Sequence, residues 1–104
     1  MIKLHTPEEI IKATSEVCDV PVTVIEDITN QTKEVARVRH VAQYLIKKYT
    51  FKSFKSISER FGQKDHGTAL AAFERISKLL REKDELTQDC INRIEKKLTE
   101  LPVG

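Results

Sequence analysis

Residues 53–75 read S-F-K-S-I-S-E-R-F-G-Q-K-D-H-G-T-A-L-A-A-F-E-R, and the fold turns on how this stretch is read. Ser53 suits a helix N-cap, and Phe54, Ile57 and Phe61 follow on one helical face at spacings of three and four. Gly62 comes directly after the last apolar residue, where a helix that stops needs a residue tolerant of positive φ. Gln63 and Lys64 complete a short turn. Asp65 then stands at a second N-cap, its carboxylate placed to accept the backbone N–H of Thr68. Ala69, Leu70, Phe73, Ile76, Leu79 and Leu80 continue as an apolar stripe of helical period, to about Arg81. Two helices joined by a tight glycine turn make a helix-turn-helix, whose second helix is the one that enters a DNA major groove.

The surrounding chain is short. Its 104 residues fit a single domain, 1–104, with a thin core. With 39% hydrophobic and 33% charged residues it is globular rather than disordered. The longest unbroken apolar run, Ala69 to Phe73, is far too short to cross a bilayer, and the N-terminus M-I-K-L-H-T-P-E-E lacks a signal-peptide core. The expectation is a cytoplasmic protein with no membrane contact. Cys18 and Cys90 have no partners at metal spacing and read as buried free thiols rather than a disulfide. The overall charge of +2 hides an asymmetry: residues 1–32 carry a net −4, residues 33–66 a net +6, and residues 67–104 a net of zero. The positive block ends where the second helix of the helix-turn-helix begins, as an electrostatic footprint for a polyanion would. A solvated basic face is the other reading of the same block.

Along the chain, Thr6, Pro7 and Glu9 form a helix start with the logic of a capping box. Ile10, Ile11, Thr14, Val17 and Cys18 follow a helical face until Val20-Pro21 ends it. Residues 23–28 fit a short helix capped by Thr23 or, from their β-branched content, a strand. Thr29 to Thr32 is a polar loop. From Lys33 to Tyr49, the residues Val35, Val38, Val41, Ala42, Leu45, Ile46 and Tyr49 recur at threes and fours. After residues 82–85, Asp84 or Thr87 can cap a last helix with Ile91, Ile94, Leu98 and Leu101 as its stripe and Pro102 as its stop. The architecture expected is all-α, a compact bundle of five to six helices.

Three stretches carry a wider likeness: V-A-R-V-R-H at 35–40, S-I-S-E-R-F-G-Q-K-D-H-G-T at 56–68, and A-L-A-A-F-E-R-I at 69–76. Together they resemble the C-terminal DNA-binding domain of the bacterial replication initiator DnaA. Phe61, Gly62, Lys64, Asp65, His66 and Thr68 match or conservatively replace the family's F-G-G-R-D-H-T-T-V signature. The order of helices extends the likeness over roughly Pro7 to Leu98. The resemblance implies a Trp-repressor-like fold, association with the nucleoid, binding of double-stranded DNA of the DnaA-box kind, and a role in replication initiation or its regulation. It implies that Asp65, His66, Gly67 and Thr68 enter the major groove, that Arg39 is a backbone or groove-edge contact, and that Lys47, Phe54, Lys55 and Arg75 flank the DNA. Two departures stand out. The basic cluster that the family carries before V-A-R is here T-N-Q-T-K-E at 29–34, and Gly67 stands where the family has a threonine. The family's ATPase module is not expected, because glycines occur only at 62, 67 and 104 and cannot build a Gly-rich phosphate loop. The chain looks like the DNA-binding domain on its own.

Each candidate has two readings. Asp65 is a helix cap or an acceptor for a cytosine amino group. His66 contacts a base edge or a phosphate, or is inert at an exposed helix start. Thr68 sets its methyl against a thymine methyl or is a plain helix residue. Gly67 lets the backbone approach DNA closely or marks a lost contact. Lysines and Arg39 neutralise phosphates, with Lys55 and Lys64 leading, and six such contacts would give a slope of log affinity against log salt of about −5. Arg60 can instead be held by neighbouring acids. His5 and His40 read as structural or surface residues, and Tyr44 and Tyr49 as core. No catalytic triad, paired carboxylate or metal set stands out, so no enzyme activity and no cofactor are expected. The rival function is a protein-interaction module that kept the fold and lost DNA, its acidic first helix (Glu8, Glu9, Glu16) facing a basic partner.

Overall fold

The computed structural model describes residues 5–30, 32–63, 65 and 67–100. The candidate contacts Lys64 and His66, and the helix-ending Leu101 and Pro102, lie outside the described residues. Six helices follow in order: α1 Pro7–Cys18, α2 Val22–Ile25, α3 Lys33–Tyr49, α4 Phe54–Arg60, α5 Gly67–Arg81 and α6 Glu85–Thr99. The described residues form no strand, so the β-branched stretch after Pro21 resolves as one helical turn, with Pro21 rather than Thr23 at its cap.

Local signals set most of the boundaries. The Thr6 side chain accepts the Glu9 N–H at 3.1 Å and Pro7 occupies the first helical position, as the sequence dictates for α1. That helix stops two residues before Pro21, with Asp19 in the left-handed region (φ 55°) and the Val20 N–H returning to the Ser15 carbonyl at 3.2 Å. Asp84, not Thr87, caps α6. Its carboxylate accepts both the backbone N–H and the hydroxyl of Thr87, and these bonds hold its pKa below the usual carboxylate range.

α3 is the hub. It packs against α1, α2, α4 and α5, while α6 closes the back by lying on α1 and touching α5. The core draws on every helix: Ile10 and Ile11 from α1, Ile25 from α2, Val41, Leu45 and Ile46 from α3, Ile57 from α4, Ile76 from α5, and Ile91, Ile94 and Leu98 from α6. Each such side chain contributes about 2 kcal/mol of burial. α6 is tied to α3 by a polar cluster as well. Lys48 Nζ lies 2.8 Å from Glu95 Oε2, and the Tyr49 hydroxyl donates to the same oxygen. Burial pushes the Glu95 carboxyl up, but these two partners more than offset it and leave it below its ordinary value. No described helix is long and apolar enough to cross a membrane.

Candidate DNA interface

The helix-turn-helix is built as its residues require. Ser53 caps α4, its hydroxyl accepting the Ser56 N–H at 3.1 Å. At the other end Gly62 takes φ 72°, and the chain closes with Gly62 N–H to the Glu59 carbonyl at 3.0 Å and Gln63 N–H to the Ser58 carbonyl at 2.9 Å. That pair of bonds is a Schellman motif, which depends on a left-handed residue at this position. The turn is also gripped from outside: Gln43, buried on α3, donates to the Gln63 side chain at 3.0 Å. Two further ties lock α5 onto α4 and α3. The buried Ser58 hydroxyl accepts the Ala69 N–H at 3.2 Å. Phe73 stacks on Tyr44 at 5.0 Å and meets Phe54 edge-on at 5.7 Å. The position of α5 is therefore over-determined by apolar packing and hydrogen bonds together.

The start of α5 departs from expectation in a way that explains Gly67. The helix begins at Gly67, one residue later than an N-cap at Asp65 predicts. The Asp65 carboxylate accepts the Gly67 N–H at 2.8 Å, and the Thr68 N–H goes to the Asp65 main-chain carbonyl at 3.1 Å. The expected side-chain bond from Asp65 to Thr68 is thus replaced by one a residue earlier. A Cβ on Gly67 would sit 3.2 Å from Asp65 Oδ1, a crowded contact. Asp65 and Gly67 form one unit, in which the carboxylate folds over the helix start and the missing side chain makes room for it.

The buried stripe of α5 is Ala69, Ala72 and Ile76. The small alanines let α5 lie close to its neighbours. Leu70, expected in that stripe, is turned outward at 38% exposure, since it stands a step of about 100° round the helix from Ala69. Ala71, Glu74 and Arg75 are exposed with it, and Thr68 is half-buried. Leu70 is thus a candidate contact that the helical pattern assigned to the core. Its only sequence signal is that an alanine-lined stripe on one side leaves a leucine on the other.

The other candidates separate into those the fold turns out and those it turns in. Lys47 is half-exposed, with Nζ 4.7 Å from the centre of the Phe54 ring and 3.2 Å from the Lys52 carbonyl oxygen. Phe54 thus belongs to an aromatic cluster crowned by a cation, half-buried rather than freely presented. Lys55 and Arg75 are exposed and form no ion pair among the described residues. Arg75 also acts inward through its charge. Burial first, then the charges of Arg75 and Arg39, lower the pKa of the half-buried His40.

Arg39 corrects the expectation of a DNA-edge contact. It is only 3% exposed. Its Nε donates to the Ile25 carbonyl at 2.8 Å, and its Nη2 donates to the Asp27 carbonyl at 2.5 Å and the Asn30 carbonyl at 3.1 Å. These acceptors belong to the end of α2 and the loop that follows, carbonyls that no strand or long helix satisfies. Arg39 is therefore an internal brace for the loop before α3. Arg60 is also engaged, with Glu26 and, at 3.5 Å, with Glu8. Glu8 is used in this way and Glu16 pairs with Lys97 at 2.9 Å, so two of the acids of α1 are already partnered within the fold.

The described residues form no cluster of three or more potential metal ligands. A cleft of about 760 Å³ lined by His5, Tyr49, Phe51, Ile57 and Arg60, among others, draws no residue from α5. The locked α4–α5 pair, its glycine turn and its outward lysines agree with the comparison to known families. Residues 7–76, more than half of the chain, match the family described as the bacterial dnaA protein helix-turn-helix, and the protein belongs to that family.

Proposed function

We propose that this protein binds double-stranded DNA with a sequence preference of its own, reading the major groove with the outward face at the start of α5. Membership of the family implies DNA binding; the preference and the residues that make it are the finer reading. The observation that carries this reading is the α4–α5 tip. One side of α5 is locked into the body by Ala69, Ala72 and Ile76, and the other exposes Leu70, Ala71 and Arg75, with exposed Asp65 just before the helix and exposed Lys55 on α4; Lys55 and Arg75 form no ion pair among the described residues.

Chemistry assigns the roles. Asp65 Oδ1 is taken by the Gly67 N–H, so its remaining lone pairs are the ones that can accept from a cytosine amino group. Thr68 and Leu70 offer methyl groups to thymine methyls, and His66, at the helix start by sequence, offers a ring nitrogen to a base edge or phosphate. Gly67 supports a specificity different from that of a chain with threonine there, since a side chain would push on Asp65. Lys47, Lys55 and Arg75 supply the sequence-independent phosphate contacts. A role at replication origins, or in competition for initiator sites, is the biological setting this proposal favours, with a binding rather than a catalytic activity.

The test is selection of bound duplexes from a random pool, followed by titration at several salt concentrations. Three phosphate contacts give a slope of log affinity against log salt of about −3. Thr68→Ala and Leu70→Ala should each change the preferred sequence by about 1–3 kcal/mol per lost base contact, leaving affinity for unrelated duplexes unchanged. No binding at low salt would instead favour the interaction module.

A further inference from the structure

The two cysteines, 72 residues apart in sequence, are brought together by the fold: the Sγ atoms of Cys18 and Cys90 lie 3.3 Å apart. Cys18 is the last residue of α1, and Cys90 lies in the second turn of α6. Both are free and only partly buried. The helices that carry them are packed together along their length and are tied again by the Glu16–Lys97 pair at 2.9 Å. The two sulfurs are therefore held close by the packing of α1 on α6.

The surroundings favour a nucleophile at Cys90. The hydrogen bond with Cys18 lowers the Cys90 pKa to about 7; Arg93 and Arg37 act in the same direction, while burial and Asp89 oppose them. The same pairing, with burial, pushes the Cys18 thiol up. Thiolate, not thiol, is the form that attacks.

We infer that Cys18 and Cys90 are a peroxide-responsive modification site, which closes to a disulfide that staples α6 to α1. The Cys90 thiolate attacks one oxygen of hydrogen peroxide and the O–O bond breaks. Cys90 becomes a sulfenic acid, and the departing hydroxide takes up a proton to become water. Cys18 then loses its proton, its sulfur displaces hydroxide from the Cys90 sulfur, and the second water leaves. The peroxide accepts two electrons, and the two thiols supply them. The sulfurs must close from 3.3 Å to about 2.05 Å. Cys18 can yield to this because it borders the left-handed Asp19, where α1 ends.

The new bond would close a loop containing α2 through α5, so it constrains the unfolded form of the whole helix-turn-helix. Neither cysteine belongs to α4 or α5, so the bond should alter stability and leave duplex binding unchanged. The experiment treats the full chain with hydrogen peroxide and follows intact mass, thiol titre and melting temperature. The expected result is a monomer lighter by two hydrogens, with no free thiol and a Tm raised by about 10 °C, reversed by dithiothreitol. Cys18→Ser should instead leave a Cys90 sulfenic acid that dimedone traps, with no rise in Tm. Added oxygen with both thiols unlinked in the parent protein, linked dimers in place of the monomeric product, or a closed bond with no rise in Tm would each overturn the staple.

Discussion

At the loop before α3, the Arg39 guanidinium donates to three backbone carbonyls, while on α4 and α5 Lys55 and Arg75 stand exposed with no ion pair among the described residues. Arg39 and Lys55 come from one basic stretch of sequence, residues 33–66, yet the fold gives them opposite work. The difference follows from what each region lacks. The chain leaving α2 turns three carbonyls toward Arg39, and a guanidinium is a rigid fork of several donors able to reach them together. The tip has its own caps, from Ser53 and the Gly62 turn, and needs no cation. Its cations remain free for a polyanion. A charge count therefore locates a basic segment without saying which of its cations face a partner.

The largest expected effect tests the inward half of that contrast. Arg39→Ala removes the three hydrogen bonds to the Ile25, Asp27 and Asn30 carbonyls and should lower folding stability by about 3 kcal/mol in chemical denaturation. Arg39→Lys should recover little, because one ammonium at the end of a flexible stem cannot reach both the Ile25 and Asn30 carbonyls in the same geometry. The salt slope of DNA binding by the folded fraction should stay at the parent value. A stable Arg39→Ala protein with weakened DNA binding would return Arg39 to the interface and erase the contrast.

A smaller effect sharpens the outward half. Lys55→Ala and Arg75→Ala should each flatten the dependence of log affinity on log salt by about 0.9, with equal losses on all duplexes. Arg60→Ala should leave that slope unchanged, because Arg60 already faces Glu26 and Glu8. Its cost should appear in stability alone, below about 1 kcal/mol for so exposed a pair. Equal slopes for all three variants would mean that internal pairing does not withdraw a cation from DNA.

These particulars show where the sequence was legible. Thr6, Ser53 and Gly62 act within a few residues of themselves, so their caps and turn could be read directly, and a bundle of five to six helices followed from caps and apolar period, with the short α2 left open between helix and strand. What depended on distant partners could not. Arg39 looked like a surface cation because nothing in its own helix announces the carbonyls of Ile25, Asp27 and Asn30. Leu70 looked like core because periodicity does not tell a stripe centred on Ala69 and Ala72 from one shifted by a residue. The Asp65 carboxylate was legible as a cap, but its acceptor geometry depended on the crowding at Gly67, a matter of tenths of an ångström. Cys18 and Cys90 meet only because α6 folds back on α1.

The smallest effect separates the two regions by pH. His40 lies behind the tip, and its pKa is lowered by burial and then by Arg75 and Arg39. The unfolded chain therefore takes up this proton at a higher pH than the folded one, and stability should fall as pH drops from the ordinary histidine value toward the folded value. Glu95, on the α6 side, is depressed below its ordinary value, burial being outweighed by Lys48 and Tyr49. Its contribution is present above the ordinary carboxylate range and is lost only as pH falls through the lower, folded value. Acid should thus weaken the protein in two separate windows, the first belonging to His40 on α3 and the second shared by Glu95 with the other depressed carboxylates, Glu16, Asp27 and Asp84. An NMR titration of the His40 ring would assign the first. In Arg75→Gln its pKa should rise part of the way toward the ordinary value, because one repelling charge is gone while burial remains. A duplex whose phosphates sit over Arg75 should move it in the same direction. A His40 pKa that ignores both the substitution and the DNA would detach Arg75 from this side of α5 and remove the link between the tip and the core behind it.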